Sequence, residues 1–148
     1  MRIIIQRVSH CSVVVDGSPT GKCDLGLLLL IGIAPQDDER VLAWMANKVL
    51  RMRIFRDSEG KMNRSVSDVS GGIVAVSQFT LLGDVRKGHR PSFIGAAPPE
   101  VAEPAYLRFC TLLEEGLGRP VGRGVFGAHM EVHLCNDGPV TIVLDSQN

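Results

Sequence analysis

Neither sign of charge is in excess in this sequence: sixteen Lys and Arg residues balance sixteen Asp and Glu over 148 residues. A long groove gripping many phosphates needs concentrated positive charge, so the balance argues against that class. A small site for one end of a nucleic acid remains allowed. Paired cysteine motifs are also missing. Cys11, Cys23, Cys110 and Cys135 are far apart along the chain and form no CxxC. A zinc or redox centre therefore has little support, and buried free thiols in a reducing cytosol are expected. Long apolar runs are absent as well. The longest, Leu25 to Pro35, falls well short of the roughly 20 residues a membrane helix requires. The opening MRIIIQRVSH is too soon interrupted by charge for a signal peptide. The expectation is a soluble, cytoplasmic protein with no membrane partner.

Missing motifs narrow the chemistry further. There is no GxSxG elbow and no GxxxxGKS/T phosphate loop. His10, His89, His129 and His133 do not pair at the spacing of a helical zinc site, and read as surface or hydrogen-bonded residues. No metal or cofactor is expected. The loop Asp57 to Lys61 has acids and a glycine without the spacing of a calcium loop, and reads as a solvated turn. Gly124-Val-Phe-Gly127 is only a glycine pair. No repeat, low-complexity tract or linker interrupts the chain, so residues 1–148 form one domain. It is large enough to bury roughly 68–70% of its extended-chain surface.

What is present is the balance of a folded protein, 45% apolar and 22% charged. Arg2 to Val8 and Cys11 to Val15 are rich in β-branched residues and predict two paired strands separated by Ser9-His10, with a turn at Gly17-Ser18-Pro19. Leu25 to Ile33 reads as a strand covered on both faces. Pro35 and Asp37-Asp38 look like a helix start. Val41, Leu42, Met45, Val49 and Met52 follow at three- and four-residue steps, predicting a core-facing helix of about four turns with Trp44 at its edge. Ile54-Phe55 precedes the Asp57 loop, and Gly72 to Leu82 predicts a strand. Gly83 to Pro99 reads as a loop. A second helix is predicted from Pro99 to Glu115, with Ala105, Tyr106, Phe109, Leu112 and Leu113 inward and Gly116 and Gly118 stopping it. Met130 to Cys135 alternates as a half-buried strand, and Val140 to Leu144 returns as the last strand. The fold class is α/β: mixed β-sheets in barrel-like layers with two main helices on one side.

Two stretches carry chemistry. Ser77-Gln78-Phe79-Thr80 clusters hydroxyl and amide groups at a strand end and is followed by the basic loop Arg86-Lys87-Gly88-His89-Arg90-Pro91-Ser92-Phe93. Asn136-Asp137-Gly138-Pro139-Val140-Thr141 joins two strands by a Gly-Pro turn, an odd choice because proline cannot donate to a ladder. Gly138 takes φ values closed to other residues, and Pro139 fixes φ.

With Gln6-Arg7-Val8 and the run Arg53 to Asn63, these segments make the chain similar to the D-aminoacyl-tRNA deacylase family. The match runs in the family's order over nearly the whole chain, and the pairing of SQFT with GPVT about sixty residues later is its most specific part. The resemblance implies a homodimeric enzyme that hydrolyses the ester between a D-amino acid and the terminal adenosine of tRNA. It also implies action on glycine mischarged onto alanine tRNA. Family likeness further implies that the Gly138-Pro139 bond is cis, that this turn enters the partner subunit's pocket, that Arg7 helps hold it, and that Ser77 to Thr80 line the site. A fixed wall of main-chain atoms would block an L side chain and leave space for hydrogen. Backbone N–H groups around Gln78 and Phe79, with Thr80 beside them, would stabilise the oxyanion. Thr80 as nucleophile and an RNA-assisted attack by water both stay open. Phe93 is expected to bind substrate, with adenine stacking near Phe79 and the basic loop approaching the acceptor end. A non-catalytic RNA-end binder and a cysteine hydrolase using Cys110 or Cys135 are the other classes.

Overall fold

The first strand sets the architecture. In the computed structural model, which describes residues 1–146, β1 runs unbroken over Arg2–Val15. The expected pair of strands is thus one strand, and Ser9-His10 is an exposed irregularity within it, where the pairing register slips. One edge of β1 is shared by β3 (Gly26–Gly32), paired to Arg2–Val8, and β2 (Ser18–Cys23), paired to Cys11–Val15. The turn before β2 sits at Asp16-Gly17, both at positive φ, one residue earlier than the sequence suggested. β6 (Gly72–Ser77) lies parallel to β3, and β7 (Gly122–Arg123) parallel to β6. Gly21 of β2 packs directly against the backbone of Arg123, so the sheet curls back on itself as a nearly closed barrel. A separate short hairpin joins β4 (Phe55–Arg56) to β5 (Met62–Arg64). β2, β5 and β7 are too short or too polar to show an alternating pattern.

β3 demonstrates why a continuous apolar run was needed. Leu27, Leu29 and Ile31 face the larger core, while Leu28 belongs to a second one with Val8, Cys11, Val13, Val74 and Val76. The larger core is completed by α1 (Glu39–Arg51) and α2 (Pro99–Leu117), which pack together on one side of the sheet. Asp38 caps α1 by accepting the Val41 N–H at 3.0 Å, and Leu42, Met45, Ala46 and Val49 form the buried stripe. Trp44 stays at the edge, 42% exposed. In α2 the Tyr106, Phe109 and Leu113 side chains are buried, with Ala105 and Leu112 partly so. Gly118, at φ 71°, ends the helix. Gly116 does not: it lies inside α2 because Leu50 of α1 packs where a Cβ would stand, 2.3 Å away.

The cysteines depart from expectation in two ways. Cys135 is exposed and not buried. Cys11 and Cys23, distant in sequence, are register partners on β1 and β2 with sulfurs 3.5 Å apart. Both are free thiols. None of the described helices is long and apolar enough to cross a membrane.

Candidate active site

The strand predicted over Gly72 to Leu82 stops at Ser77, opposite Ile31 in β3. The Gln78 N–H donates to the Ile31 carbonyl at 2.7 Å, and the chain then turns into a short 3-10 helix over Phe79–Leu82. This one bond reassigns the donors. Gln78's amide is spent on the sheet, whereas the N–H groups of Phe79 and Thr80, in the helix's first turn, have no acceptor among the described residues. The first turn of a helix leaves such donors pointing outward, together with the positive end of its peptide dipoles.

They open beside a cavity of about 580 Å³ between the sheet, the start of α2 and the segment after β7. Ser77, Gln78, Phe79 and Phe93 all line it. The Phe79 and Phe93 rings meet edge to face, centroids 5.1 Å apart, and make a half-exposed aromatic rim. Tyr106 forms part of the apolar floor. Its hydroxyl donates to the Ala75 carbonyl at 2.9 Å, and burial pushes its ionisation above the usual phenol range. It therefore shapes the cavity without offering a base. Thr80 is exposed at the edge, outside the cavity lining, and its Oγ1 accepts from the Gln78 side-chain amide at 2.5 Å.

Two contributors escaped the sequence. The Phe126–Met130 segment, including His129, forms the opposite wall and overlaps the Gly124-Val-Phe-Gly127 stretch. Tyr106 reads from the sequence only as a core residue of α2. Neither carries a local signal, since both reach the cavity through tertiary packing.

The basic loop is a closed excursion. Asp84 and Ser92 exchange backbone hydrogen bonds of 2.7 and 2.9 Å across its neck. Arg86 forks onto the Asp84 carboxylate and, with its own N–H, holds that carboxyl at about 2. Lys87 and Arg90 stay exposed, as does His89.

Gly138 and Pro139 lie elsewhere. The strand β8 spans Glu131–Asp145 and pairs with β1 on both sides of the turn. Val8 faces Asn136 and Gln6 faces Thr141, so the four residues 137–140 bulge out between them. The turn is thus not a hairpin end but an extrusion from the middle of a long strand. Its bond is cis, and Gly138 sits at φ 124°. The Asn136 side chain pins the neck, donating to the carbonyls of Arg7 and Val140 at 3.0 Å each. Arg7, only 3% exposed, stands behind the bulge. It donates to the Asp137 carbonyl (3.2 Å), pairs with its carboxylate (2.9 Å) and donates to the Ile54 carbonyl (2.5 Å). Within one chain, then, Ser77, Gln78, Phe79 and Phe93 come together, and Arg7, Gly138 and Pro139 come together, but the two groups are separate. Neither Gly138 nor Pro139 lines the 580 Å³ cavity.

A cysteine nucleophile finds no setting here. Burial pushes the Cys110 thiol up to about 11, and neither Cys110 nor Cys135 lines the cavity. Among the described residues no group of three or more His, Cys, Asp or Glu could hold a metal ion.

A near-closed barrel flanked by two helices, with an apolar cavity at the end of β6 and main-chain N–H groups free at its lip, places the chain among small single-domain α/β barrels. The chain belongs to the D-Tyr-tRNA(Tyr) deacylase family, whose model matches residues 4–145. It is 58% identical over 146 residues to a D-aminoacyl-tRNA deacylase of Chloroherpeton thalassium, covering 99% of this chain and 96% of that one. Identity to the D-aminoacyl-tRNA deacylase of Deinococcus radiodurans is 51% over 145 residues, 98% of this chain and 99% of the relative. Among solved structures, a c-Myc DNA Unwinding Element Binding Protein superposes with a TM-score of 0.92 at 42% identity, covering 98% of both chains. A probable eukaryotic D-amino acid tRNA deacylase shares the fold at a TM-score of 0.82 and 20% identity, covering 97% of both chains.

Proposed function

We propose that this chain hydrolyses the ester between a D-amino acid, or glycine carried by alanine tRNA, and the 3′-terminal adenosine of tRNA, in the cytoplasm, as a homodimer. The observation that carries the reading is the division of the site: free donors and cavity at one place, a rigid Gly138-Pro139 bulge at another. A second copy brings the bulge to the cavity. Adenosine fills the apolar slot beside Phe79 and Phe93, and the ester carbonyl lies against the Phe79 and Thr80 N–H groups. Attack by water then builds an oxyanion where those donors already point. Ser77 and Gln78 hold the strand end that aims them.

Selection works by exclusion. A soft pocket separates substrates differing by a methylene by only about 1–3 kcal/mol. Main-chain atoms of Gly138 and Pro139, backed by Arg7 and Asn136, do not rotate away, so an L side chain meets a wall. A D side chain points out of the site. Glycine, having only hydrogen, enters as well.

Water, and not Thr80, is the nucleophile. The Thr80 hydroxyl accepts from an amide, and no histidine or lysine bonds to it. The ribose 2′-hydroxyl next to the ester positions the water. Thr80→Ala is expected to lower kcat less than tenfold with tRNA binding unchanged; a loss of several orders of magnitude would establish the hydroxyl as nucleophile.

Incubation with D-tyrosyl-tRNA and L-tyrosyl-tRNA tests the whole reading. Release of the D-amino acid alone is expected. Protection of both esters would instead make the protein an RNA-end binder.

A further inference from the structure

A second cavity, of about 410 Å³, lies behind the Gly138-Pro139 bulge and is lined by Arg7, Arg56, Arg64, Asp68 and Asp137 among others. Its charges are matched unevenly. Arg7 takes the Asp137 carboxylate. The Asp68 carboxylate is capped by the N–H and hydroxyl of Ser65, both at 2.7 Å, bonds that hold it below the usual carboxylate range. Arg64 donates to the main-chain carbonyl of Asp68 and stands close enough to help hold that carboxyl low, so its charge is only partly matched. Arg56, exposed on β4, has no partner among the described residues. Arg2, Arg86, Arg108 and Arg123 each hold a carboxylate; Arg40, Arg51, Arg53 and Arg90 are also unpaired among the described residues but lie outside this cavity. Three guanidinium groups against two carboxylates leave the opening with a net positive charge, and Arg56 carries it unpaired.

We propose that Arg56 and Arg64 form a binding site for phosphodiester groups of the RNA strand that carries the ester. The inference rests on the functional reading above and adds a site to it. Arg7 is the link: it lines this cavity, and its Nη2 lies 2.9 Å from where a Cβ of Gly138 would stand. Bulge and arginine cavity thus share a wall, so a polyanion whose end is inspected by the bulge passes the arginines. Phosphate is favoured over a base. A guanidinium matches phosphate oxygens two at a time, and the cavity's one aromatic residue, Phe55, is buried and offers no stacking face. The neutral charge of the whole chain fits a grip on only one or two phosphates.

The test compares D-tyrosyl-tRNA with the D-tyrosyl ester of adenosine, which carries no phosphate, for the wild type and for Arg56→Gln/Arg64→Gln. The double variant is expected to raise KM for the tRNA at least tenfold and leave kcat within twofold. It should make the slope of log kcat/KM against log salt shallower by about 1.4, since each single-strand contact contributes about 0.7. Hydrolysis of the adenosine ester should not change, and Arg56→Lys, which keeps the charge but loses the fork, should keep the wild-type salt slope with a smaller rise in KM than Arg56→Gln. Arg56→Gln alone, which breaks no contact, guards against a folding defect and is expected to show about half the change in slope. An unchanged KM and slope for the tRNA would overturn the proposal, as would equal damage to both substrates. Should the wild type hydrolyse neither D-ester, the functional reading fails. Filter binding of uncharged tRNA then decides the arginine site, and equal affinity of wild type and double variant would sink it.

Discussion

Phe79→Pro is expected to lower kcat for D-tyrosyl-tRNA by about 10²–10³, the typical loss when one oxyanion donor is removed. A catalyst made of main-chain N–H groups is invisible to alanine substitution, because every residue except proline keeps the donor. Position 79 is unusually open to the experiment. It is the first residue of a 3-10 helix, where proline's missing N–H breaks no bond within the fold. Gln78 before it is at φ −146° and ψ 77°, outside the helical region that a following proline disfavours. The ring lost with Phe79 also touches Phe93, so Phe79→Leu is the control. Single-turnover rates at saturating enzyme separate the two effects. If the leucine and proline variants were equally slow, the donor would have no part in the chemistry.

Arg7→Ala is expected to be the most damaging change behind the bulge. The side chain is buried against three acceptors, and its removal orphans the Ile54 carbonyl, costing about 1–3 kcal/mol. The Asp137 carboxylate, 48% exposed, regains water and adds little. Thermal unfolding should shift down by on the order of 5 °C. The more telling effect is on selection. A bulge no longer clamped through Asp137 yields to an L side chain, so the ratio of D- to L-tyrosyl-tRNA hydrolysis should fall at least tenfold at a temperature where the variant is folded. Arg7→Lys reaches one acceptor but cannot fork, and should recover more of the stability than of the selectivity. Unaltered selectivity in Arg7→Ala would mean that the bulge is rigid without its arginine.

The parts of this fold that were readable from sequence are those where one pattern decides one element. The unbroken apolar run of β3 announces burial on both faces, and the stripe Leu42, Met45, Val49 announces α1. SQFT and GPVT stand out because their residue types are poor choices for ordinary strands. What stayed hidden was set at longer range. Ser9-His10 looks like a break, yet β8 pairs across it and carries β1 through. The end of β6 at Ser77 is fixed by a bond to Ile31, which no local propensity encodes. That same bond determines which amides are free, so the sequence points to a tetrapeptide at the cavity's edge but not to which of its N–H groups lack a partner. Gly116 shows the converse: a helix breaker by propensity, it remains helical because a neighbouring helix needs its missing side chain.

The separation of bulge and cavity within one chain has a genetic corollary. In a twofold assembly each working centre would borrow half its parts from either protomer. Phe79→Pro protein, damaged only in its cavity, and Arg7→Ala protein, damaged only in its wedge, would then complement each other when co-expressed. Random pairing makes half the assemblies mixed, and each mixed pair holds one intact centre and one doubly defective one, so roughly a quarter of all centres combine full turnover with full selectivity, which neither parent does alone.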